Sequence, residues 1–278
     1  MPLESGRAAS DDPPTCSPEP EPSGGRMSAA SVRDSHHMVT PCRRGGHAGG
    51  DARTMTTMPR PSVTRMVEDY VTLIWKAYEW PGGRPTTTDL ADQLGVTAST
   101  VSANLGRLAR DGYIDYEPYG RIALTPRGQE IAIEIVRRHR IVETYLVEKL
   151  GLTWDQVHSE ADRLEHTVSD LVLARMDAVL GGPTLDPHGD PIPDTEGRTD
   201  ARPNRSLAEV TPGADAVVVR VSDRSPELLR YLTDRGIVLG TRLQVTSVNP
   251  AASAIGVNVG GEAFELALDA AQAIRVEA

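Results

Sequence analysis

Apolar residues begin to recur at helical spacing near Val63. The preceding residues, 1–62, are rich in Pro, Gly, Ser, Thr and Arg and show almost no aliphatic periodicity. Such a segment cannot bury enough apolar surface to offset the entropy lost on ordering, so we predict a disordered tail. Met55, Met58 and Met66 could serve as alternative translation starts, which would make part of this tail a start-site artefact.

Three helices are predicted in the segment that begins at Val63. The first ends at Pro81, a short helix opens at Thr88, and a third runs from Thr97 or the next residue to about Asp111. A glycine marks the turn between the second and third helices. Two short helices joined by such a tight turn are typical of a helix-turn-helix.

The outward face of the third helix carries small polar residues. Such side chains let a helix enter the major groove of DNA, although they would also suit any solvated helix. Two β-type runs at residues 113–116 and 121–124 follow, and they predict the wing of a winged helix-turn-helix. The residues expected to contact DNA are Thr97, Ser99, Thr100, Ser102, Ala103, Asn104, Arg107 and Arg121.

The second half of the chain changes from helical to β-type periodicity. A long helix capped by Thr125 is expected to end at Gly151, Thr153 is expected to cap the next helix, and a third covers residues 170–180. The apolar face of this third helix has no partner within the segment, which predicts a homodimer seam. Several short β-type runs within residues 216–277 predict a small barrel, so the fold class is mainly α with a small β domain.

Composition excludes several classes of protein. The net charge of −10 argues against a uniformly basic surface for nucleic acid, but it does not describe one face of one domain. No apolar run approaches the ~20 residues of a membrane span, and the start lacks the pattern of a signal peptide. We therefore expect a soluble cytoplasmic protein with no membrane partner. Cys16 and Cys42 are the only cysteines, so neither a disulfide framework nor a thiolate metal site is expected.

Histidine and carboxylate residues form two groups within about 30 residues of each other. On helices, His139 and Glu143 are spaced i, i+4, and Asp162, Glu165 and His166 are spaced i, i+3 and i+4, so each set projects from one face. Nitrogen and oxygen donors gathered this densely are typical of a site for a divalent first-row metal. The alternative is a solvated charged face.

Further motifs occur in order along the chain: VEDYV at 67–71, the helix-turn-helix and wing, RRHRIVE at 137–143, VHSEADRLEH at 157–166, SD at 169–170 and DPHGDPIP at 186–193. With these motifs the chain resembles the diphtheria toxin repressor family of metal-activated transcriptional regulators, and within it the manganese-responsive branch. The resemblance covers residues 68–193 and extends more loosely to residue 278.

The resemblance implies a domain order and two metal positions. The expected parts are the tail (1–62), the winged helix-turn-helix (63–136), a helical metal-binding and dimerisation domain (137–197), a linker (198–206) and an SH3-like domain of the FeoA type (207–278). One metal position would use His139, Glu143 and His158. The other would use Asp69, Asp162, Glu165 and His166.

Several residues depart from the pattern of the family. Iron-responsive members are expected to have Met and Cys at the positions of Asp69 and Asp162, and oxygen donors in their place favour Mn²⁺. Thr72 stands where the manganese branch commonly has a Glu ligand. In the barrel, Asp223 would add a ligand, whereas Arg220 replaces one. The linker-side residue His188 is not expected to be a ligand.

The implied function is metal-dependent regulation of transcription. We expect a Mn(II)-activated homodimeric repressor of metal-uptake genes that binds a palindromic operator in double-stranded DNA and uses no organic cofactor. An Fe(II)-dependent regulator of the same family and a winged-helix regulator that senses an organic ligand are the alternatives. A metallohydrolase is disfavoured because the sequence contains neither HExxH nor a nucleophile motif, so we expect no enzymatic activity.

Overall fold

The computed structural model describes residues 63–80, 83–118, 120–200 and 202–277. The expectations for residues 1–62, including the disordered tail and both cysteines, lie outside these ranges. The described residues belong to a single compact unit. None of the described helices is both long and apolar enough to cross a membrane.

The order of elements follows the prediction of a mainly α chain with a β domain at its end. The helices are α1 (Arg65–Tyr78), α2 (Thr87–Leu94), α3 (Ala98–Arg110), α4 (Pro126–Leu150), α5 (Val157–Leu164), α6 (Asp170–Leu180), α7 (Pro226–Asp234) and α8 (Leu268–Gln272). The strands are β1 (Ile114–Tyr116), β2 (Ile122–Leu124), β3 (Arg205–Ser206), β4 (Asp215–Val221), β5 (Arg242–Asn249), β6 (Ala254–Val259), β7 (Glu262–Ala267) and β8 (Ile274–Glu277).

The first three helices and the β1–β2 hairpin form a winged helix-turn-helix. Helix α2 begins at Thr87, one residue before the expected start, because Thr86 and Asp89 form a capping box. The left-handed Gly95 then ends α2 and allows the tight turn into α3. Val101 and Leu105 on the inner face of α3 are fully buried in the core of this domain.

Helix α4 joins the winged helix to the helical domain. Thr125 caps it as predicted, since its Oγ1 accepts from the backbone N–H of Gly128 at 3.2 Å and donates to the carbonyl of Gly112 at 2.8 Å. The prediction for α5 was wrong: its N-cap position is Gln156, which makes no side-chain cap hydrogen bond, so Thr153 does not cap it. The helix also ends at Leu164, before the last two candidate ligands.

Loss of the α4 cap should be measurable as a loss of stability. We expect Thr125→Ala to lower the free energy of unfolding by about 1–2 kcal/mol, because the N–H of Gly128 and the carbonyl of Gly112 both lose a partner. Urea denaturation of the metal-free protein measures this. Thr199→Ala, an exposed threonine outside any helix, is the matched control and should change stability by less than about 0.5 kcal/mol. Equal effects of the two substitutions would contradict the cap.

Helix α6 leaves its apolar residues uncovered within one chain. It buries none of its residues, and Leu171, Val172 and Val179 are 69%, 46% and 59% exposed. Ser169 caps the helix and Gly181 ends it, so its register is well defined. This unpaired face is what the sequence predicted as the homodimer seam.

The C-terminal domain is a six-stranded antiparallel sheet with the order β3-β8-β4-β5-β6-β7. Alternate residues of its strands, among them Val218, Val245 and Ile255, are fully buried in a core of their own. Helix α7 packs Leu229 and Leu232 into the same core. The predicted small β domain is therefore present with a core of its own, against which Trp154 of the helical domain also packs.

Candidate metal centre

Helix α4 supplies the two central residues of the site. His139 and Glu143 lie one turn apart, are 1% and 0% exposed, and place Nε2 2.9 Å from Oε1. The apolar neighbours Val142 and Leu146 pack against α5, which brings the α5 ligands over this turn of α4. A buried charge of this kind is stable only when it is paired or bound to a metal.

The first cluster consists of His139, Glu143, His158 and Asp223. Each offers one donor atom, and these atoms all lie within 4.8 Å of one another. The Nδ1 atom of His158 is 3.2 Å from Oε1 of Glu143 and 3.0 Å from Oδ2 of Asp223. The three helical-domain residues predicted for one metal position are therefore together, and the β domain adds the predicted carboxylate.

The second cluster consists of Asp69, Glu165 and His166. The Nε2 atom of His166 lies 3.1 Å from Oδ1 of Asp69 and 3.1 Å from Oε1 of Glu165. Asp69 comes from α1 in the winged helix, whereas the other two lie in the turn after α5. This cluster therefore joins the DNA-binding domain to the helical domain.

Asp162 is placed differently from the prediction. It lies 3.4 Å from Nδ1 of His139, and a donor set of His139, Asp162 and Glu165 lies within 4.8 Å. Glu165 also contacts His139, with Oε2 2.6 Å from Nδ1. In the structure, Asp162 therefore lies between the two clusters and is half exposed, instead of grouping directly with Asp69.

Two residues near the clusters were not found from the sequence. Glu68, adjacent to Asp69, contacts Nδ1 of His166 through Oε2 at 2.7 Å and so orients its ring. Lys76 is half-buried, with Nζ 3.9 Å from Oδ2 of Asp223. Burial lowers the pKa of Lys76, but Asp223 and other carboxylates outweigh it and raise that pKa. The VEDYV motif contains Glu68, whereas no local signal marked Lys76.

Thr72 lies close to the clusters but pairs with none of the residues that the structure describes. It faces the same cleft of about 650 Å³ as Asp69, His158, Glu165 and Asp223. Its hydroxyl oxygen is buried and forms no hydrogen bond to the described residues. This position therefore adds no carboxylate to the cleft, in agreement with the departure noted in the sequence.

The carboxylates hold extra protons on the imidazoles of the metal-free protein. Burial lowers the pKa of His158, but hydrogen bonds with Asp223 and Glu143 outweigh it and raise the pKa to about 10. A hydrogen bond with Asp69 is the largest cause that raises the pKa of His166 to about 10. Both rings are therefore protonated at neutral pH and must lose a proton before a nitrogen can bind a metal.

Metal affinity should consequently rise with pH. The pKa values of His158 and His166, each about 10, lie above the pH range of the measurement, so each ring releases a proton when metal binds. Metal affinity should then rise about tenfold per pH unit for each proton released. Calorimetric titration with Mn²⁺ at pH 6.0 and 7.5, in two buffers of different ionisation enthalpy, measures both affinity and released protons. Affinity that stays constant across this range would rule out the displacement of protons.

Arg220 occupies the place of an expected ligand and makes ionic contacts instead. Its Nε pairs with Asp190, its Nη1 donates to the carbonyl of Glu79 at 3.3 Å, and its guanidinium stacks 4.4 Å from the centre of the Trp80 ring. Glu79 and Trp80 follow α1, and Asp190 lies in the loop after α6. Arg220 thus connects the β domain to both other domains.

The predicted DNA-contacting residues lie on one side of α3 and at the wing. All are exposed except Asn104, which is half-buried because its side-chain nitrogen donates to the hydroxyl of Tyr70 at 3.0 Å. Thr97 is the N-cap of α3, with its Oγ1 accepting from the backbone N–H of Thr100. Arg107 and Arg121 are both exposed to solvent. The surface therefore fits the expected geometry of a recognition helix.

A winged helix that shares a histidine and carboxylate centre with a helical domain defines a metal-responsive DNA-binding regulator. Residues 62–122 match the iron dependent repressor N-terminal DNA binding domain, residues 125–194 match the iron dependent repressor metal binding and dimerisation domain, and residues 205–278 match the FeoA domain. The chain belongs to the iron-dependent repressor family that includes IdeR and the diphtheria toxin repressor.

The similarity to individual relatives extends over nearly the whole length of each relative. The iron-dependent repressor IdeR of Mycobacterium leprae is 35% identical over 223 residues, which is 76% of this chain and 96% of the relative. The diphtheria toxin repressor of Corynebacterium diphtheriae is 29% identical over 220 residues, which is 76% of this chain and 96% of the relative. A solved manganese-dependent transcriptional repressor in complex with manganese is 43% identical, with a TM-score of 0.70. The match covers 76% of this chain and 99% of the repressor.

These matches confirm the general prediction from the sequence. The chain is a metal-dependent transcriptional repressor, with a DNA-binding domain, a dimerisation domain and an SH3-like FeoA domain, and it is not an enzyme. Iron-dependent and manganese-dependent repressors are both among its relatives. Family membership therefore does not decide which metal this chain binds, and the chemistry of the donor atoms has to be considered.

Proposed function

We propose that the chain is a repressor activated by Mn²⁺ that acts in the cytoplasm on genes for metal uptake. The main support is the donor set, since the two clusters, with Asp162 beside them, offer only imidazole nitrogen and carboxylate oxygen. Such donors fit Mn²⁺, whereas thiolate and thioether ligands favour softer ions. A bound divalent ion would supply positive charge that holds these carboxylates together.

One ion would be held by His139, Glu143, His158 and Asp223. The other would be held by Asp69, Glu165 and His166, with Asp162 beside them. The second ion is proposed as the switch because Asp69 belongs to α1 of the DNA-binding domain. The protonated ring of His166 gives Asp69 and Glu165 one positive charge in the metal-free protein. A divalent ion in place of that proton would supply two and would fix the winged helix against the helical domain. Operator DNA should in turn tighten metal binding, because coupling is reciprocal.

A homodimer with two fixed winged helices would suit a palindromic operator. Two recognition helices must reach successive major grooves about 34 Å apart, so a shift of either winged helix weakens both contacts together. The wing residue Arg121 and the α3 residue Arg107 are proposed phosphate contacts, and the small residues of α3 are proposed to approach the bases. No organic ligand is needed in this scheme.

The deciding experiment is DNA binding to genomic fragments at one fixed salt concentration with Mn²⁺, Fe²⁺, Zn²⁺ or chelator, since affinity changes steeply with salt. Tight binding with Mn²⁺ that is lost with chelator supports the proposal. Stronger activation by Fe²⁺ at equal free metal, under anaerobic conditions, would identify an iron-dependent regulator, which the relationship to IdeR keeps as the second candidate. Equal binding in the presence of chelator would contradict metal control.

A further inference from the structure

Lysine occurs at only two positions in this chain, and one of them faces the metal clusters. Lys76 and Lys149 are the two lysines among 29 lysine and arginine residues. Lys76 lies on α1 and lines the same cleft as Asp69 and Thr72. These three residues are spaced i, i+3 and i+7, so they share one face of the helix. One face of α1 therefore brings both a carboxylate and an ammonium group to the clusters.

The ammonium group of Lys76 is directed at the first cluster. Its Nζ lies 3.9 Å from Oδ2 of Asp223, and the two side chains are 17% and 14% exposed. The same oxygen lies 3.0 Å from Nδ1 of His158, another residue of that cluster. Burial lowers the pKa of Lys76, but Asp223 and then Glu143 raise it. Both carboxylates belong to the first cluster, so the positive charge of Lys76 acts mainly on that group of donors.

The second cluster also has a cation from α1, but in a different setting. The Nε atom of Arg65 lies 3.9 Å from Oδ2 of Asp69, which is the separation found between Lys76 and Asp223. The side chain of Arg65 is 63% exposed, against 17% for Lys76. Water and salt screen exposed charges much more strongly than partly buried ones. At equal distance, the cation beside the first cluster therefore acts more strongly than the one beside the second.

A fixed positive charge opposes the binding of a metal ion next to it. In the metal-free chain, Lys76 already neutralises part of the charge of Asp223. An ion held by Asp223 would gain less from this carboxylate and would be repelled by the ammonium group. A shift of the flexible lysine stem would reduce the repulsion without removing it, because Coulomb energy falls only as the inverse of distance. The first cluster should therefore bind metal more weakly than its donor atoms alone would allow.

We propose that Lys76 competes with the metal ion for the charge of Asp223 and thereby raises the metal concentration at which the first cluster fills. This inference rests on the proposed function, in which both clusters bind Mn²⁺. Lys76 would touch no metal ion and would act through the carboxylate. The lysine would connect α1 of the DNA-binding domain to the filling of a cluster built from the helical and β domains.

Mn²⁺ affinity in two variant backgrounds tests the proposal. Asp69→Asn disables the second cluster and His158→Ala disables the first, so calorimetric titration of each background follows the other cluster. Lys76→Met removes the charge and keeps the length of the stem. In the Asp69→Asn background it should raise Mn²⁺ affinity about tenfold, which corresponds to about 1.4 kcal/mol. In the His158→Ala background the change should stay below about twofold, because the more distant charge is screened.

Two control variants separate charge from packing and from net charge. Lys76→Arg keeps the positive charge and should leave Mn²⁺ affinity in the Asp69→Asn background within about threefold of that background alone. Lys149→Met removes the other lysine, which pairs with Glu148 at the surface at 3.4 Å and lies in none of the clusters. It should leave the affinity unchanged. A tenfold gain in either control, or no gain in Lys76→Met, would overturn the proposal.

Thermal unfolding provides a readout that does not depend on operator DNA. Without metal, Lys76→Met should unfold at a lower temperature than the parent, because Asp223 loses one of its two cationic partners. At one fixed concentration of Mn²⁺, the rise in midpoint should be larger in Lys76→Met than in the parent, since tighter binding adds more stability. An equal or smaller rise would contradict competition between Lys76 and the ion.

Failure of the proposed function would appear in a different measurement. If the first cluster binds no Mn²⁺, His158→Ala will remove no bound metal from the parent chain at equilibrium dialysis, and both proposals will be wrong. If His158→Ala removes bound metal while Lys76→Met leaves the affinity of the first cluster unchanged, the proposed function is kept and only the role of Lys76 is lost.

Discussion

Replacement of Glu165 by alanine should lower operator affinity in Mn²⁺ by about 100-fold, to the level measured with chelator. This is near the upper range of allosteric coupling between two sites. Glu165 belongs to the second cluster and also contacts the first: its Oε1 lies 3.1 Å from His166 and its Oε2 lies 2.6 Å from His139. Its loss should therefore weaken the connection to Asp69 and, through His139, the first cluster.

The matched control for this prediction is Glu160→Ala. Glu160 is another carboxylate of the same helical segment, but it pairs with Arg163 at the surface at 2.9 Å and lies in none of the clusters. Operator affinity of this variant should stay within about twofold of the parent, as expected for an exposed ion pair. Parallel losses in the two variants would point to general unfolding, and unchanged affinity in Glu165→Ala would remove this residue from the switch.

Arg140→Ala should be the most destabilising substitution of a polar residue near the site. The guanidinium is 1% exposed, donates to both carboxylate oxygens of Glu79 at 3.0 and 2.5 Å, and lies within 4 Å of Asp186 and Asp190. Its removal would break the ion pair of Asp186 and would leave Glu79 and Asp190 with Arg220 as their remaining guanidinium partner. Breaking a buried pair in this way costs about 3–5 kcal/mol, which urea denaturation of the metal-free protein would detect.

The pH dependence of this loss provides a second check. Burial raises the pKa of Glu79, but Arg140 outweighs it, so the folded pKa lies below 4.5. A carboxylate whose pKa is lowered by folding adds stability above its pKa in the unfolded chain, and that stability is lost as pH falls through its pKa in the folded protein. The difference in stability between Arg140→Ala and the parent should therefore shrink as pH falls through that range. Arg163→Ala, with a side chain 71% exposed, is the control and should cost less than about 0.5 kcal/mol. A loss as small as the control's would contradict the role of Arg140.

Local sequence patterns predicted the fold well because its elements begin and end at local signals. Thr125 and Gly151 bound α4 where expected, and Gly95 makes the turn of the helix-turn-helix. The start of α5 was predicted wrongly because threonine is a common N-cap residue. The chain makes a further turn after Thr153 before the helix begins. A single residue type therefore predicts a cap less reliably than the combination of cap, periodicity and stop signal.

The candidate site was predicted only where its residues share a helix or a motif. His139 and Glu143 follow from i, i+4 spacing, whereas Glu68 reaches His166 across 98 positions of sequence. Asp162 shares its helix face with other ligands, yet the relative placement of α4 and α5 decides that it contacts His139. The position of His188, 3.7 Å from Glu143, likewise depends on a loop packed against a distant strand, and no local spacing encodes that contact.

Arg220 changes what removal of metal can do to this protein. An ion held by several side chains leaves when a chelator lowers its free concentration, but a guanidinium is part of the chain and stays charged at every accessible pH. Its contacts with Asp190, Glu79 and Trp80 join the β domain to its neighbours without the help of a bound ion. Metal starvation should therefore open the second cluster around Asp69, while Arg220 keeps the β domain attached to the end of α1 and to the loop at Asp190.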